Sequence, residues 1–266
     1  MASFSVLNNI ASVNAQANVS ATQINLSKAL TRLSSGLRIN SSGDDAAGLA
    51  VANAYRADIA VLNQGMRNAN DGLSTLQIKD GALNNISTLI DRLATLATQS
   101  ASTSSSVDRT ALDLEFQDVL AEIDREANVA GLDAASPFSV FVSNDGADGT
   151  ISGNVGAADA TALGVNALAV DTDVNAAAAV AALSTAVTTL GTVQAQVGTL
   201  ENRLQYAISL ASSQVVNNQA AESRIRDANI AQESSNLTKY NILMQSGIAS
   251  LAQANASTGA VLALLR

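Results

Sequence analysis

Between Ile59 and Ala97, apolar residues recur alternately three and four positions apart without losing phase. The positions are Ile59, Leu62, Met66, Ala69, Leu73, Leu76, Asp80, Leu83, Ser87, Ile90, Ala94 and Ala97, and all but Asp80 and Ser87 are apolar. A stripe this narrow, held over more than five heptads, is the signature of helices packing nearly parallel in a coiled-coil-like seam. At about 1.5 Å per residue the segment would span roughly 58 Å. A compact globule of this length would have a radius of gyration near 18 Å, so the pattern predicts a rod. A second seam runs Val180, Leu183, Val187, Leu190, Gln194, Val197, Glu201, Leu204, Ile208, Ala211 and Val215, and a shorter one Leu112, Phe116, Val119 and Ile123. The Ser/Thr/Ala stretch 100–106 reads as the turn between the first and the short seam. The expected fold class is mainly α: an elongated antiparallel helical bundle in which distant segments pair.

The middle of the chain has a different period. Ser136-Pro137-Phe138-Ser139-Val140-Phe141-Val142 alternates in twos and is followed by Asn144-Asp145-Gly146, Asp148-Gly149 and Thr150-Ile151-Ser152. That order predicts a small β-hairpin. Residues 153–175 are Gly, Ala, Asp and Val with little pattern, an irregular segment with room for a short strand near Leu168–Val170.

The two ends are anomalous in charge. Residues 1–27 and 240–265 carry no charged side chain, yet both have helical spacing. Val6, Ile10, Val13 and Ala17 step 4-3-4, as do Leu26, Leu30, Leu33 and Leu37; Ile230, Leu237, Met244 and Leu251 stand seven apart. Surface helices usually keep a charged outer face. Here the other faces are Ala, Ser, Asn, Gln and Gly, which tolerate close packing on several sides. The expectation is that each terminal helix is covered by the other and by neighbouring copies of the chain. Alone, neither end would offset an ordering cost of about 1–2 kcal/mol per residue, so order is expected on assembly. The plainer alternative is a monomeric bundle with low-charge ends.

Absences remove whole chemistries. The 266 residues include no His, Cys or Trp and one proline, Pro137. Ser–His–Asp and Cys–His catalysis and ordinary zinc sites are excluded; no enzyme activity, cofactor or metal is expected. A net charge of −9 without a basic stripe argues against nucleic acid. The first charge is Lys28, so no Sec-type signal is visible, and the longest apolar run, 176–183, is too short to span a bilayer; no membrane insertion is expected. Asp44 and Asp45 stand where the N-cap and first-turn acids of a helix belong, after Gly36 at the end of the preceding one. They are adjacent and have no second acidic cluster at ligand spacing, which sets aside a catalytic or metal pair. Asn144, Asp145 and Asp148 lack the alternate acids and terminal Glu of a calcium loop and read as a turn. Glu115, Asp118, Glu122, Asp124, Arg125 and Glu126 read as the solvated face of the short helix. Arg224, Arg226 and Asp227 read either as an interface ion cluster or as an exposed helix start.

The segment from Ser34-Ser35-Gly36-Leu37-Arg38-Ile39-Asn40 through Asp44-Asp45-Ala46-Ala47-Gly48-Leu49-Ala50 to Ala52 resembles the N-terminal hallmark of bacterial flagellins. The tail Asn241-Ile242-Leu243-Met244-Gln245-Ser246-Gly247-Ile248, Leu251-Ala252-Gln253-Ala254-Asn255 and Val261-Leu262-Ala263-Leu264-Leu265-Arg266 resembles their C-terminal hallmark. The resemblance covers roughly residues 1–135 and 180–266, and it departs at Thr258-Gly259, where Pro-Gln is common.

This resemblance implies a short flagellin, a structural subunit that self-polymerises into the flagellar filament for swimming. Alternatives are a hook–filament junction protein, or a non-flagellar secreted coiled-coil signalling or binding module. It implies three parts: paired terminal helices (1–42 with 225–266) forming the inner core, a helical rod domain (43–135 with 180–224), and a reduced outer region (136–179). Subunit contacts would fall to Val6, Ile10, Val13, Ile24, Leu30, Leu33, Ile230, Leu237, Met244, Ile248, Leu251, Val261, Leu262 and Leu265. Spoke and interface roles would fall to Arg38, Asp44 and Asp45. Implied partners are further copies of the chain, an export chaperone, the filament cap and hook-associated proteins, and the flagellar type III export apparatus; the implied location is the extracellular filament. Arg92, Leu96 and Glu115 fall at the places that the vertebrate innate flagellin receptor contacts in flagellins it detects. Thr95 stands where an acid is usual there, and Ala94 where a second base is.

Overall fold

The computed structural model describes residues 8–102 and 108–263, with side chains omitted at 147 and 258–263. Its elements are α1 (Ile10–Ser35), α2 (Ala46–Ser100), α3 (Arg109–Val129), β1 (Ser136–Phe141), a 3-10 turn (Gly146–Gly149), β2 (Thr150–Val155), α4 (Asp173–Arg226) and α5 (Ile230–Ala263). They divide between two compact units, Met1–Ala57 with Asn218–Arg266, and Asp58–Asn217.

In the first unit, α1 and α5 pair antiparallel. Asn9 caps α1 by accepting from the Ser12 amide at 3.1 Å, and its own amide group donates to the Ala254 carbonyl at 2.9 Å. At the other end of α1, Gly36 takes φ 71°, a left-handed value that a side chain would disfavour, and donates back to Arg32 O at 2.9 Å. The chain then forms one antiparallel bridge, Leu37 to Asp227, which ties the end of α1 to the start of α5.

In the second unit, α2, α3, α4 and the hairpin enclose one hydrophobic core. The buried row on α2 is Leu62, Ala69, Leu76, Leu83, Ile90 and Ala97, with Ile86 and Leu93 on one flank. That flank continues the heptad through Gly65, Gly72 and Ser100, which are also buried, and half-buried Lys79. Half of the apolar stripe expected from sequence, Ile59, Met66, Leu73, Asp80, Ser87 and Ala94, is only half-buried on the opposite flank. On α4 the same correction holds: Leu183, Leu190, Val197, Leu204 and Ala211 are buried together with Ala179, Ala186, Val193 and Leu200, while Val180 and Val187 are exposed. The helices turn toward their small residues, because close packing depends on side-chain size as well as hydrophobicity. On α3 the buried set is Phe116, Leu120, Ile123 and Ala127.

The hairpin pairs Ser136 with Val155 through to Phe141 with Thr150. It lies directly on α2, where the Val142 backbone meets Gly65 and the Val140 and Phe138 side chains meet Gly72. It is clipped to α4 by Arg203, which donates to the Ser152 carbonyl at 2.8 Å, and by Gln196, which accepts from the Gly156 amide at 2.9 Å.

No strand forms at Leu168–Val170. The backbone there is held by helix side chains instead: Gln117 donates to Leu168 O at 2.9 Å, Asp113 accepts from the Val170 amide at 2.8 Å, and the Ser100 hydroxyl donates to Val170 O. With its polar groups satisfied, the segment seats Ala158, Ala160, Leu163, Val165 and Val170 in the core. Asp124, expected on a solvated face, accepts from the Ala160 amide at 2.8 Å. Helix α4 also corrects the reading of its apolar content. Its Thr, Ser and Gly residues interrupt contiguous runs, yet one 18-residue window has a mean hydropathy of 1.6, enough by length and composition to cross a bilayer. A third of that window is buried within the chain.

Candidate assembly surface

The face that α1 turns to α5 is made of Ser12, Ala15, Val19, Thr22, Leu26, Ala29 and Leu33, again stepping 3-4. The answering face of α5 is Glu233, Asn236, Leu237, Tyr240, Met244, Gly247, Leu251 and Ala254. Its contacts are small or polar: the Ser12 hydroxyl donates to Asn255 Oδ1 at 2.8 Å, Val19 sits over Gly247, and Arg32 pairs with Glu233 at 3.3 Å. The pair is therefore closed by size and hydrogen bonding rather than by bulk.

The bulk points outward. Ile10, Val13, Ile24, Leu30, Ile230, Ile242, Leu243 and Ile248 are between 44% and 67% exposed. A soluble monomer rarely displays so many large apolar groups on two adjoining elements. Covering what remains exposed would contribute on the order of 1 kcal/mol per side chain. For the set, that is comparable with the entropic cost of immobilising one partner, so each helix pair needs several contacts to hold a neighbour.

The structure sorts the candidate residues. Ile10, Val13, Ile24, Leu30, Ile230 and Ile248 lie on the outward face. Leu33, Leu237, Met244 and Leu251 are half-buried on the faces that α1 and α5 turn to each other. Val6 and Leu265 fall outside the described residues, as do the side chains of Val261 and Leu262. Sequence reading missed Ile242 and Leu243 as outward candidates; they stand off the seven-residue row, and their signal was the absence of any charge around them.

Arg38, Asp44 and Asp45 form ties within the chain. The Arg38 amide donates to Arg226 O at 2.6 Å and its guanidinium to Ile225 O at 2.8 Å. Asp45 caps α2 by accepting from the Gly48 amide at 2.9 Å. Asp44 pairs with Lys28 at 2.9 Å, stands 3.8 Å from Arg32, and accepts from the Asn40 and Ser41 amides, each at 3.2 Å. The Lys28 hydrogen bond, then that from Asn40, lowers its carboxyl from 3.8 to about 2. Arg226, whose role the sequence left open, pairs with Glu222 on its own helix at 3.3 Å.

Arg92 and Glu115 bind each other across α2 and α3, with Arg92 Nε donating to Glu115 at 2.9 Å. Leu96 is 1% exposed and belongs to the core, so these three positions present two surface side chains rather than three. Among the described residues no three acidic side chains converge as metal ligands.

Residues 6–138 match the family described as the bacterial flagellin N-terminal helical region, and residues 180–265 the bacterial flagellin C-terminal helical region. The chain is 35% identical over 281 residues to the flagellar filament 33 kDa core protein of Treponema phagedenis, covering 97% of this chain and 98% of that one. It is 36% identical over 273 residues to a flagellin of Halalkalibacterium halodurans, with the same coverage of 97% and 98%. Against a flagellin of Bacillus subtilis the identity is 34% over 299 residues, again covering 97% and 98%. The crystal structure of Bacillus cereus flagellin aligns with a TM-score of 0.47 at 27% identity, over 59% of this chain and 94% of that one.

Proposed function

The chain belongs to the bacterial flagellin family, and from that premise we propose how its parts serve the filament. It is a structural subunit of the flagellar filament, a helical polymer used for swimming. The family matches at both ends and the filament relatives of nearly equal length favour this over a hook–filament junction protein or a signalling module.

One observation carries the reading of the assembly surface. The large apolar residues of α1 and α5 face outward while small and polar ones close the pair. The outward face is the subunit contact, with Ile24 and Leu30 on α1 and Ile242 and Ile248 on α5 at its centre; Val6, Val261, Leu262 and Leu265 would extend it. Arg38, Asp44 and Asp45 fix the connection between α1 and α2, so that this face is presented in one orientation. The terminal helices thus form the inner core, the second unit the rod layer, and residues 136–179 a reduced outer region. Before assembly the apolar face needs a cover, which is the role of an export chaperone; the cap and hook-associated proteins and the type III export apparatus complete the partner set. The finished protein is extracellular. Arg92 and Glu115 remain surface candidates for the vertebrate innate flagellin receptor.

Replacing Ile24 and Ile248 together with Asn tests the contact. Both side chains project away from the α1–α5 pair, so helix content by circular dichroism should be unchanged. Sedimentation under polymerising conditions should lose the pelleted fraction; pelleting at wild-type protein concentration would count against the assignment.

A further inference from the structure

Two acids face each other in the second unit without a cation between them. Asp80 on α2 and Glu201 on α4 are both half-buried. The helices run antiparallel, with Leu204 packed 3.6 Å from the Cβ position of Gly72, which brings Glu201 to within about a turn of Asp80. Glu201 Oε1 is buried and has no hydrogen-bond partner, while Asp80 accepts only a 3.2 Å bond from Asn84 on its own helix.

The neighbouring cations are committed elsewhere. Lys79 donates to the Gly131 carbonyl at 2.8 Å and to the Ser136 hydroxyl at 3.3 Å, and Asp133 is the acid that acts on it. Arg203 donates to the Ser152 carbonyl at 2.8 Å. The hairpin strands carry no titratable side chain. On α3, Glu122 and Glu126 are occupied by Arg125. Every nearby positive charge thus anchors the hairpin or the α3 surface and leaves the acid pair uncompensated.

We propose that Asp80 and Glu201 form a proton-binding latch between α2 and α4. A proton from solvent settles on the Glu201 carboxyl, its O–H donates to the Asp80 carboxylate, and the helix pair tightens. Ionisation of Glu201 restores two facing negative charges and leaves a buried acceptor without a donor, so the pair loosens. Burial, and after it the Asp80 charge, raise the Glu201 carboxyl above its ordinary value. A raised acid means that the folded chain holds the proton more tightly than the unfolded one. Stability from this group is therefore complete at acid pH, and it falls as pH rises from the ordinary carboxylate value through the raised one.

The test is amide hydrogen exchange by mass spectrometry on the full chain kept dilute, following residues 76–84 and 197–205. Wild-type protein is compared with Glu201→Gln and Asp80→Asn at pH 7 and pH 5, after correction for intrinsic exchange. Wild-type protection should rise on acidification, by no more than tenfold per pH unit for one proton. In Glu201→Gln, whose amide donates permanently, protection at pH 7 should already match the wild-type value at pH 5 and should not change with pH. Asp80→Asn should flatten the slope as well. A wild-type slope in either variant, or lower protection in Glu201→Gln at both pH values, would overturn the latch. So would a carbon-13 titration of Glu201 in the wild-type chain that shows an ordinary carboxyl.

Discussion

Asp44 is the residue on which most of the first unit's polar ties meet. It accepts from the Asn40 and Ser41 amides and pairs with Lys28, with Arg32 next to it. Arg32 in turn reaches Glu233 on α5, so one carboxylate is linked to both members of the helix pair. Its carboxyl titrates near 2 rather than 3.8, and the sign follows directly. A depressed acid contributes stability that is fully present above its ordinary value and is lost as pH falls from about 4 through about 2. The α1–α5 pair of the wild-type chain should therefore melt at lower temperature across that window. In Asp44→Asn the pair should start less stable at pH 7 and lose that acid sensitivity; a melt by circular dichroism at stepped pH reads both. The sequence identified Asp44 and Asp45 as helix-start acids. Asp45 fills that role, but only the fold brings Lys28 to Asp44, sixteen positions away and off any helical register.

At the scale of elements, the long helices teach that hydrophobic periodicity finds a seam but not its width or its flank. One heptad row on α2 and one on α4 are where the apolar count placed them. The second row lies on the opposite flank, where Gly65 and Gly72 on α2 and Ala179 and Ala186 on α4 let neighbours approach. A hydropathy count ranks Met66 and Leu73 above Gly65 and Gly72, so the pattern alone selects the wrong flank. Gly65 is the sharpest case, because a Cβ there would strike the Val142 backbone, which cannot give way as a side-chain tip can. Gly65→Ala should destabilise the second unit by about 1–3 kcal/mol through overpacking. Gly81 on the same helix has nothing within 4 Å of its Cβ position, and Gly81→Ala should stabilise by about 0.5–1 kcal/mol. Opposite shifts in thermal midpoint for two glycines of one helix are the expected outcome; equal shifts would show that the hairpin does not press on Gly65.

For the whole molecule, the governing feature is that both charge-free ends belong to one unit and expose their large apolar residues there. Deleting 1–27 or 240–266 removes one partner of the α1–α5 pair and half of the outward face. Either truncated chain should stay unpelleted at concentrations where the full chain sediments as filaments, while exchange protection across the core of Asp58–Asn217 stays at its full-length level. Filaments of normal length from either truncation would refute the role given to the ends. The core built on Leu76, Leu83, Ile90, Phe116 and Leu190 draws only on residues of that second unit, which is why its protection should survive.

The amino-acid sequence alone determined the helical class, the long seams, the hairpin in the middle and the unusual character of the ends. All of these rest on local periodicity and on which residue types are present or missing. Family membership was legible for the same reason, since its hallmarks are contiguous runs at the two ends. Only the tertiary structure decided which flank of each seam is buried, that helix side chains rather than a neighbouring strand hold Leu168–Val170, and that Leu96 is core. It also decided that Leu237, Met244 and Leu251 serve the pair within the chain while Ile242 and Leu243 face out. These outcomes depend on close approach and on which partner satisfies each polar group, and both are set by residues far apart along the chain.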